Sequence, residues 1–424
     1  MAMRKLLSVA VLVSFAASAR ADHWPQWRGP KNDGHSAETG LPAKWSAENA
    51  VWKLPMPGQG GSTPAVWGDR IFLTSEDGPD VVLMCVSTAG KELWRRPLGT
   101  HNGKKYMSGE GNNASASPTT DGKHVWAFDG AGHLACFTVA GEPVWSLDVQ
   151  AKYGEFKIWH GMHVTPLIDG DRIYLSLLHS NAALVLALDK MTGREIWKHT
   201  RASDATDENE HSYASPLIWR RGGDEYLVVH GGDYCTAHRL TDGTEIWRLG
   251  GLNPPRPGEP YNKYLRFVAT PLVTPDLIVV PTAKKGPVVG LDPAARGKID
   301  RGSPGEIWRS PRITPDVPSP LMHDGRVYLC SETGLFSCLD AKTGQEVYPP
   351  VQLRKGIYRA SPVFAGGLIY VTGRDGVTTV IRSGPLFEKV AENPIGDDVS
   401  ASLAPADGRI YIRGWKSLYA VGRP

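Results

Sequence analysis

Hydrophobic and polar residues alternate in short runs along almost the whole chain, and the runs keep one phase relative to the turns before them. Arg70-Ile71-Phe72-Leu73, His124-Val125-Trp126-Ala127, Arg326-Val327-Tyr328-Leu329, Leu368-Ile369-Tyr370-Val371 and Arg409-Ile410-Tyr411-Ile412 are the clearest. Period-two alternation bounded by turn residues predicts strands. Asp121-Gly122, Asp324-Gly325 and Asp407-Gly408 supply the positive φ angles that tight hairpins require. No stretch of a dozen residues carries a helical period, so the chain is expected to be essentially all β.

The strands belong to a repeat. Each unit opens on a Ser/Thr-Pro step at Pro64, Pro118, Pro166, Pro216, Pro271, Pro320 and Pro362, then at a degenerate Ser402-Leu403, with intervals of 54, 48, 50, 55, 49, 42 and 41 residues. Each closes on an acidic residue and an aromatic one: Trp94, Trp145, Trp197, Trp247, Trp308, Tyr348, and a weaker seventh near Phe387. Four short strands per unit at this period predict an eight-bladed β-propeller of four-stranded antiparallel blades. The eighth unit is one strand short, and Val51-Trp52-Lys53-Leu54 precedes the first opening step. That spare segment is expected to close the last blade and so remove two open edges. Trp52, Trp94, Trp145, Trp197, Trp247 and Trp308 are read as structural residues of the blade seams, since each can bury ~150–250 Å².

Outside the ring, Arg4 and Lys5 precede an apolar run from Leu6 to about Ala17, and Ala19-Arg20-Ala21 has the small-x-small pattern of a processing site. Residues 1–21 are therefore expected to be a signal peptide, residues 22–50 an irregular strap whose tryptophans pack on the outer wall, and residues 51–424 the propeller. Removing Arg4, Lys5 and Arg20 turns a formal charge of +3 into a neutral chain, a poor partner for nucleic acid. No later segment is long and apolar enough for a transmembrane helix. The location expected is the periplasm or the extracellular space. Of five cysteines, Cys85, Cys136 and Cys338 share the third-strand position held by Ala187 elsewhere, which points to buried small residues rather than a disulfide framework.

Ala187-Leu188-Asp189-x-x-Thr192-Gly193-x-Glu195-x-Trp197 and Cys338-Leu339-Asp340-Ala341-Lys342-Thr343-Gly344-Gln345-Glu346 resemble the repeat of the pyrroloquinoline-quinone-type propellers. That superfamily includes quinoprotein alcohol dehydrogenases and the propeller component of the bacterial outer-membrane protein assembly machinery. The resemblance covers residues 24–424 and implies fold more firmly than function. For the dehydrogenases it would imply pyrroloquinoline quinone with calcium, vicinal cysteines over the cofactor, and a Glu/Asn/Asp metal site. The chain has no vicinal cysteines and no C-x-x-C-H, so no catalytic residue is assigned and no cofactor is expected.

In an up-and-down blade the loops entering each opening strand gather round the axis on one face, together with the second-to-third-strand turns. Those loops place His160, His163, Glu210, His211, Tyr213, Arg266, Arg359 and Asp398 as the candidate ligand- or partner-binding group, with Glu110 and Asn112 nearby. The turns add His179, His230, Asp233, Lys284, Arg374, Arg413 and Trp415. His160-x-x-His163 has the residue types of a transition-metal site, with His211 as a third ligand, or of ordinary loop histidines. The function expected is an exported binding or scaffold protein that engages an envelope protein or peptide at this face, as a monomer; the alternative is a quinoprotein alcohol or sugar dehydrogenase.

Overall fold

The structure is a computed structural model that describes residues 23–101, 103, 111–255, 258–311 and 314–423. The expected leader over residues 1–21, and Glu110, lie outside the described residues. Among the described residues the strands form eight sheets, one per repeat unit, and the chain folds as an eight-bladed β-propeller. The last sheet runs Trp52–Pro55, Ser417–Gly422, Arg409–Arg413, Ala404–Ala406, with Trp52 opposite Ala420. The N-terminal segment thus closes the ring. Helix among the described residues is confined to single turns at Val149–Tyr153 and Asp207–Glu210.

The Ser/Thr of each opening step has a task of its own. Thr63 N donates to Ser117 Oγ, Ser117 N to Thr165 Oγ1, Thr165 N to Ser215 Oγ, Ser215 N to Thr270 Oγ1, and so on through Ser319, Ser361 and Ser402. Ser402 N then donates back to Thr63 Oγ1. All eight bonds measure 2.9–3.2 Å and make a closed circle round the axis. The following proline restricts the ring residue to extended backbone, which keeps its hydroxyl turned towards the neighbouring unit. The eighth unit loses the proline but keeps the hydroxyl, so the circle is unbroken.

The seams between blades repeat a second device. Trp145 lies over Gly193 of the next blade, where a Cβ would come within 2.8 Å of the indole, and its Nε1 donates to Lys190 O at 2.9 Å. Trp52, Trp94, Trp197 and Trp308 repeat this on Gly90, Gly141, Gly243 and Gly344. The fourth seam differs because strand Gly297–Ile299, from an insert, pairs in parallel with Glu245–Leu249, and Trp247 stands edge-on to Tyr226 instead. Phe387 is not the closing residue of the seventh blade: its closing strand is Glu388–Pro394, and Phe387 packs across the seam on Tyr348 with ring centroids 6.3 Å apart.

Each closing aromatic needs a small partner on the strand beside it. Cys85, Cys136, Ala187, Ala237, Gly290 and Cys338 lie opposite Trp94, Trp145, Trp197, Trp247, Trp308 and Tyr348. At Gly290 a Cβ would sit 2.2 Å from the Trp308 ring. This explains the recurrent cysteines without redox chemistry. All five thiols are buried and unpaired, and burial pushes those of Cys136 and Cys235 up to about 12. Thiol titration is expected to modify none of them until denaturant is added, since the thiolate is the reactive form. Rapid modification of three or more in the folded protein would refute this packing.

The strap departs in part from the sequence expectation, because Trp24 and Trp27 lie at the end of the ring, whereas Trp45 is tied to the outermost strand of the seventh blade. It crosses the end of the ring that carries the first-to-second-strand turns. Trp24 pairs with Val66 through bonds of 3.0 and 2.7 Å, Ser36 N donates to Phe364 O, and Trp45 N donates to Asn393 Oδ1. Trp27 sits on the axis itself, beneath the hydroxyl circle. Arg28, 1% exposed, donates to Asn32 O, Asp33 O and Pro320 O, which ties the strap to the sixth blade.

Candidate functional site

The inner strands run into the axis as extended chain, so side chains two residues apart share a face. The position two before each Ser/Thr of the circle therefore faces the axis as well. Those positions hold Gly61, Ser115, His163, Tyr213, Val268, Val317, Arg359 and Ser400, and all eight line one funnel. Asn112, His160 and Arg266 stand above them at the mouth. The upper chamber has a volume of about 210 Å³, and below it the hydroxyl circle encloses about 110 Å³ with Trp27 at the foot.

Hydrogen bonds and ion pairs hold the mouth. His163 Nε2 lies 2.5 Å from His160 O, so that nitrogen carries the proton, and burial pushes the imidazole down to about 4. It is neutral at physiological pH. Tyr213 Oη accepts from His160 N at 3.3 Å, and burial holds its phenol above the usual range. His160 Nε2 lies 3.2 Å from Glu208 Oε1, and Arg266 Nε lies 3.3 Å from the same oxygen. Arg266 is also 3.7 Å from Asp316, which Lys284 approaches at 3.8 Å while pairing with Glu332. Burial, reinforced by Glu332, pushes the Asp316 carboxyl up to about 6. A chain of polar contacts and ion pairs thus runs from the third unit to the sixth.

Of the eight sequence candidates, the funnel brings together His160, His163, Tyr213, Arg266 and Arg359. It does not include Glu210, His211 or Asp398. The segment before the fourth unit turns once, with His211 N donating to Glu208 O, and this swings His211 between blades, fully buried, where Nε2 meets Ser180 Oγ at 3.1 Å. Glu210 faces a separate outer cleft beside Ser180 and Gly232. Asp398 is exposed and pairs with Arg374 at 2.9 Å.

Sequence reasoning missed Glu208, Asp316 and Glu332, the carboxylates that hold the cations. The axial set itself was available in the fixed offset from each Ser/Thr-Pro step. The carboxylates had no such signal, because they sit in turns of irregular length.

Two donor sets bear on metals and cofactors. Among the described residues no group of three or more His, Cys, Asp or Glu is placed to hold a metal ion. His163 Nε2 and His160 Nε2 face a carbonyl and a carboxylate, respectively. Calcium takes six to eight oxygen ligands, usually with carboxylates among them, whereas the described wall of the funnel carries two guanidinium groups and no carboxylate. These residues do not fit a calcium-held quinone.

A family model described as outer membrane protein assembly factor BamB matches residues 79–298 and 295–384. Among solved structures, BamB from Moraxella catarrhalis superposes with a TM-score of 0.62 at 14% identity, covering 88% of this chain and 96% of that one. Quinohemoprotein alcohol dehydrogenase from Comamonas testosteroni gives 0.65 at 13% identity, over 96% and 81%. A europium-containing methanol dehydrogenase gives 0.64 at 12%, over 93% and 90%. At these identities the likeness is one of fold. No curated protein sequence matches the chain.

Proposed function

The chain belongs to the family of the outer membrane protein assembly factor BamB, and we propose that it is an exported scaffold that binds an envelope protein or peptide at the axial funnel. The observation that carries this reading is convergence. One side chain or backbone position from each of the eight units meets at a single mouth, and Arg266 there is braced by Glu208 and Asp316 on neighbouring loops. A braced, partly buried cation at the centre of a concave surface is what a binding site needs and a solvated rim does not. The periplasm or extracellular space is the location proposed, supported by the apolar N-terminal run and its small-x-small end. The dehydrogenase reading has the shared fold in its favour, but the funnel wall does not supply a calcium site.

Pull-down from envelope extracts with Arg359→Ala and His163→Ala tests the proposal, with thermal melting of both variants in parallel. Capture is expected to fall at least about tenfold for Arg359→Ala, the effect of one lost charge-assisted hydrogen bond, while each variant still melts cooperatively. If both variants keep every partner and only their stability drops, the axial assignment is wrong. A quinone absorption band that co-elutes after incubation with pyrroloquinoline quinone and Ca²⁺ would favour the enzyme instead.

A further inference from the structure

The hydroxyl circle leaves two of the three hydrogen-bonding sites on each hydroxyl, the donor and one lone pair, unassigned. A serine or threonine hydroxyl carries one donor and two acceptor sites. Each of the eight oxygens accepts a backbone N–H from the adjacent unit. None of the eight donates to a protein acceptor among the described residues, although all eight line the lower chamber. Leaving a buried donor unmet costs ~1–3 kcal/mol, and here eight of them converge on one bore. The bore is therefore a ring of O–H donors awaiting an acceptor.

The chemistry above the ring has the same sign. Arg266 and Arg359 reach the mouth, Val268 and Val317 contribute apolar wall, and no carboxylate lines the described funnel. His163 adds no charge, because its imidazole is neutral and its Nε2–H is directed at a carbonyl. The lower chamber, about 110 Å³ and stopped by Trp27, admits a compact polar group and excludes a fused ring system. Water would satisfy single hydroxyls, but it brings no negative charge to the guanidinium groups above them.

We propose that the axial bore is an oxyanion site, in which a carboxylate or phosphate group passes Arg266 and Arg359 and is seated on the hydroxyl circle above Trp27. This rests on the reading of the funnel as a binding site and names the group it takes. Two sources have this chemistry, the free C-terminal carboxylate of an extended peptide and a small inorganic oxyanion.

Titration calorimetry and thermal shift of the full chain distinguish them, with inorganic phosphate, an acetylated tripeptide acid and the same tripeptide amide, at constant ionic strength set with chloride. The acid or phosphate is expected to raise the melting temperature, and the amide to bind at least about tenfold more weakly than the acid. Val317→Glu, which adds a carboxylate to the wall, should abolish the shift, and Arg359→Gln should weaken it by a similar tenfold or more. Tighter binding of the peptide acid than of phosphate assigns the site to a chain terminus, and the reverse to a free oxyanion. Equal binding of acid and amide, no shift beyond chloride, or full binding by Val317→Glu overturns the proposal. If no oxyanion binds but Arg359→Gln still loses its envelope partner, the partner-binding reading stands and the oxyanion site falls.

Discussion

A chain that begins at Gly60 is expected to lose its cooperative thermal transition, whereas one that begins at Asp22 keeps it. The deleted segment pairs Trp52, Lys53, Leu54 and Pro55 with Ala420, Tyr419, Leu418 and Ser417. Trp52 then carries the seam from the last blade to the first through Thr88 O and Gly90. Without it the ring has two open edges and an uncovered cluster that includes Ile410, Tyr411 and Val421. The strap goes too, with Trp24, Leu41 and Trp45 at 0, 8 and 5% exposure. Burial of a large side chain contributes ~1.5–3 kcal/mol, so these three residues together account for roughly 4–9 kcal/mol against a total stability of ~5–15. Calorimetry and near-ultraviolet circular dichroism provide the measurement. A truncated protein that melts within a few degrees of the longer one would mean that the ring closes without its N-terminal strand.

The parts of this fold that are legible in the sequence are those the ring repeats. The Ser/Thr-Pro step recurs because the hydroxyl must reach the next unit's backbone, and the small third-strand residue recurs because an indole lies opposite it. Repetition turns a weak local constraint into a readable column. Features that occur once had no such support. Trp24, Trp27 and Trp45 have no repeat partner from which to infer their position, so the expectation of an outer-wall strap has no column behind it, and Trp27 lies on the axis. Spacing alone puts Phe387 with the closing aromatics, yet the seventh blade has Ala391 opposite Val380 and uses Phe387 as the receiving surface for Tyr348. Distance from the strand explains the functional residues in the same way. His163, Tyr213 and Arg359 sit at the fixed offset of two and reach the funnel, while His211 and Asp398, at four, lie where the loop has already turned away. Arg266, also at four, reaches the mouth and is held between Glu208 and Asp316.

Stability is expected to fall steeply as the pH drops below 6.5, well before ordinary carboxylates titrate. His179, His211, His230 and His238 are 3, 0, 1 and 0% exposed. Burial, the leading cause in each case, pushes them down to about 4, 4, 3 and 4. A histidine depressed in the folded state leaves stability unchanged above its unfolded value of ~6.5 and withdraws it as the pH falls towards the folded value, because the unfolded chain then binds more protons. His163, likewise pushed down to about 4, makes a fifth; each such group contributes about 1.4 kcal/mol per pH unit across that window, so the five contribute about 7 kcal/mol per unit. Asp233 and Asp316 act in the opposite direction. Burial raises both from the ordinary 3.8 to about 6, so between pH 6 and 4 the native state takes up two protons first and offsets about two histidines. Three net protons remain, which corresponds to about 4 kcal/mol per unit and places acid unfolding near pH 5 for a stability in the lower half of the usual range. Urea unfolding from pH 7.5 to 4.5 measures the slope. His230 stands edge-on to Phe267, with ring centroids 4.8 Å apart, and His230→Leu should leave stability at pH 7.5 within about 1.5 kcal/mol. The same variant should reduce the acid slope by one proton, about 1.4 kcal/mol per unit. A wild-type slope near zero between pH 6.5 and 5 would show that these histidines are charged in the native state, and the neutral assignment of the blade interiors would then fail.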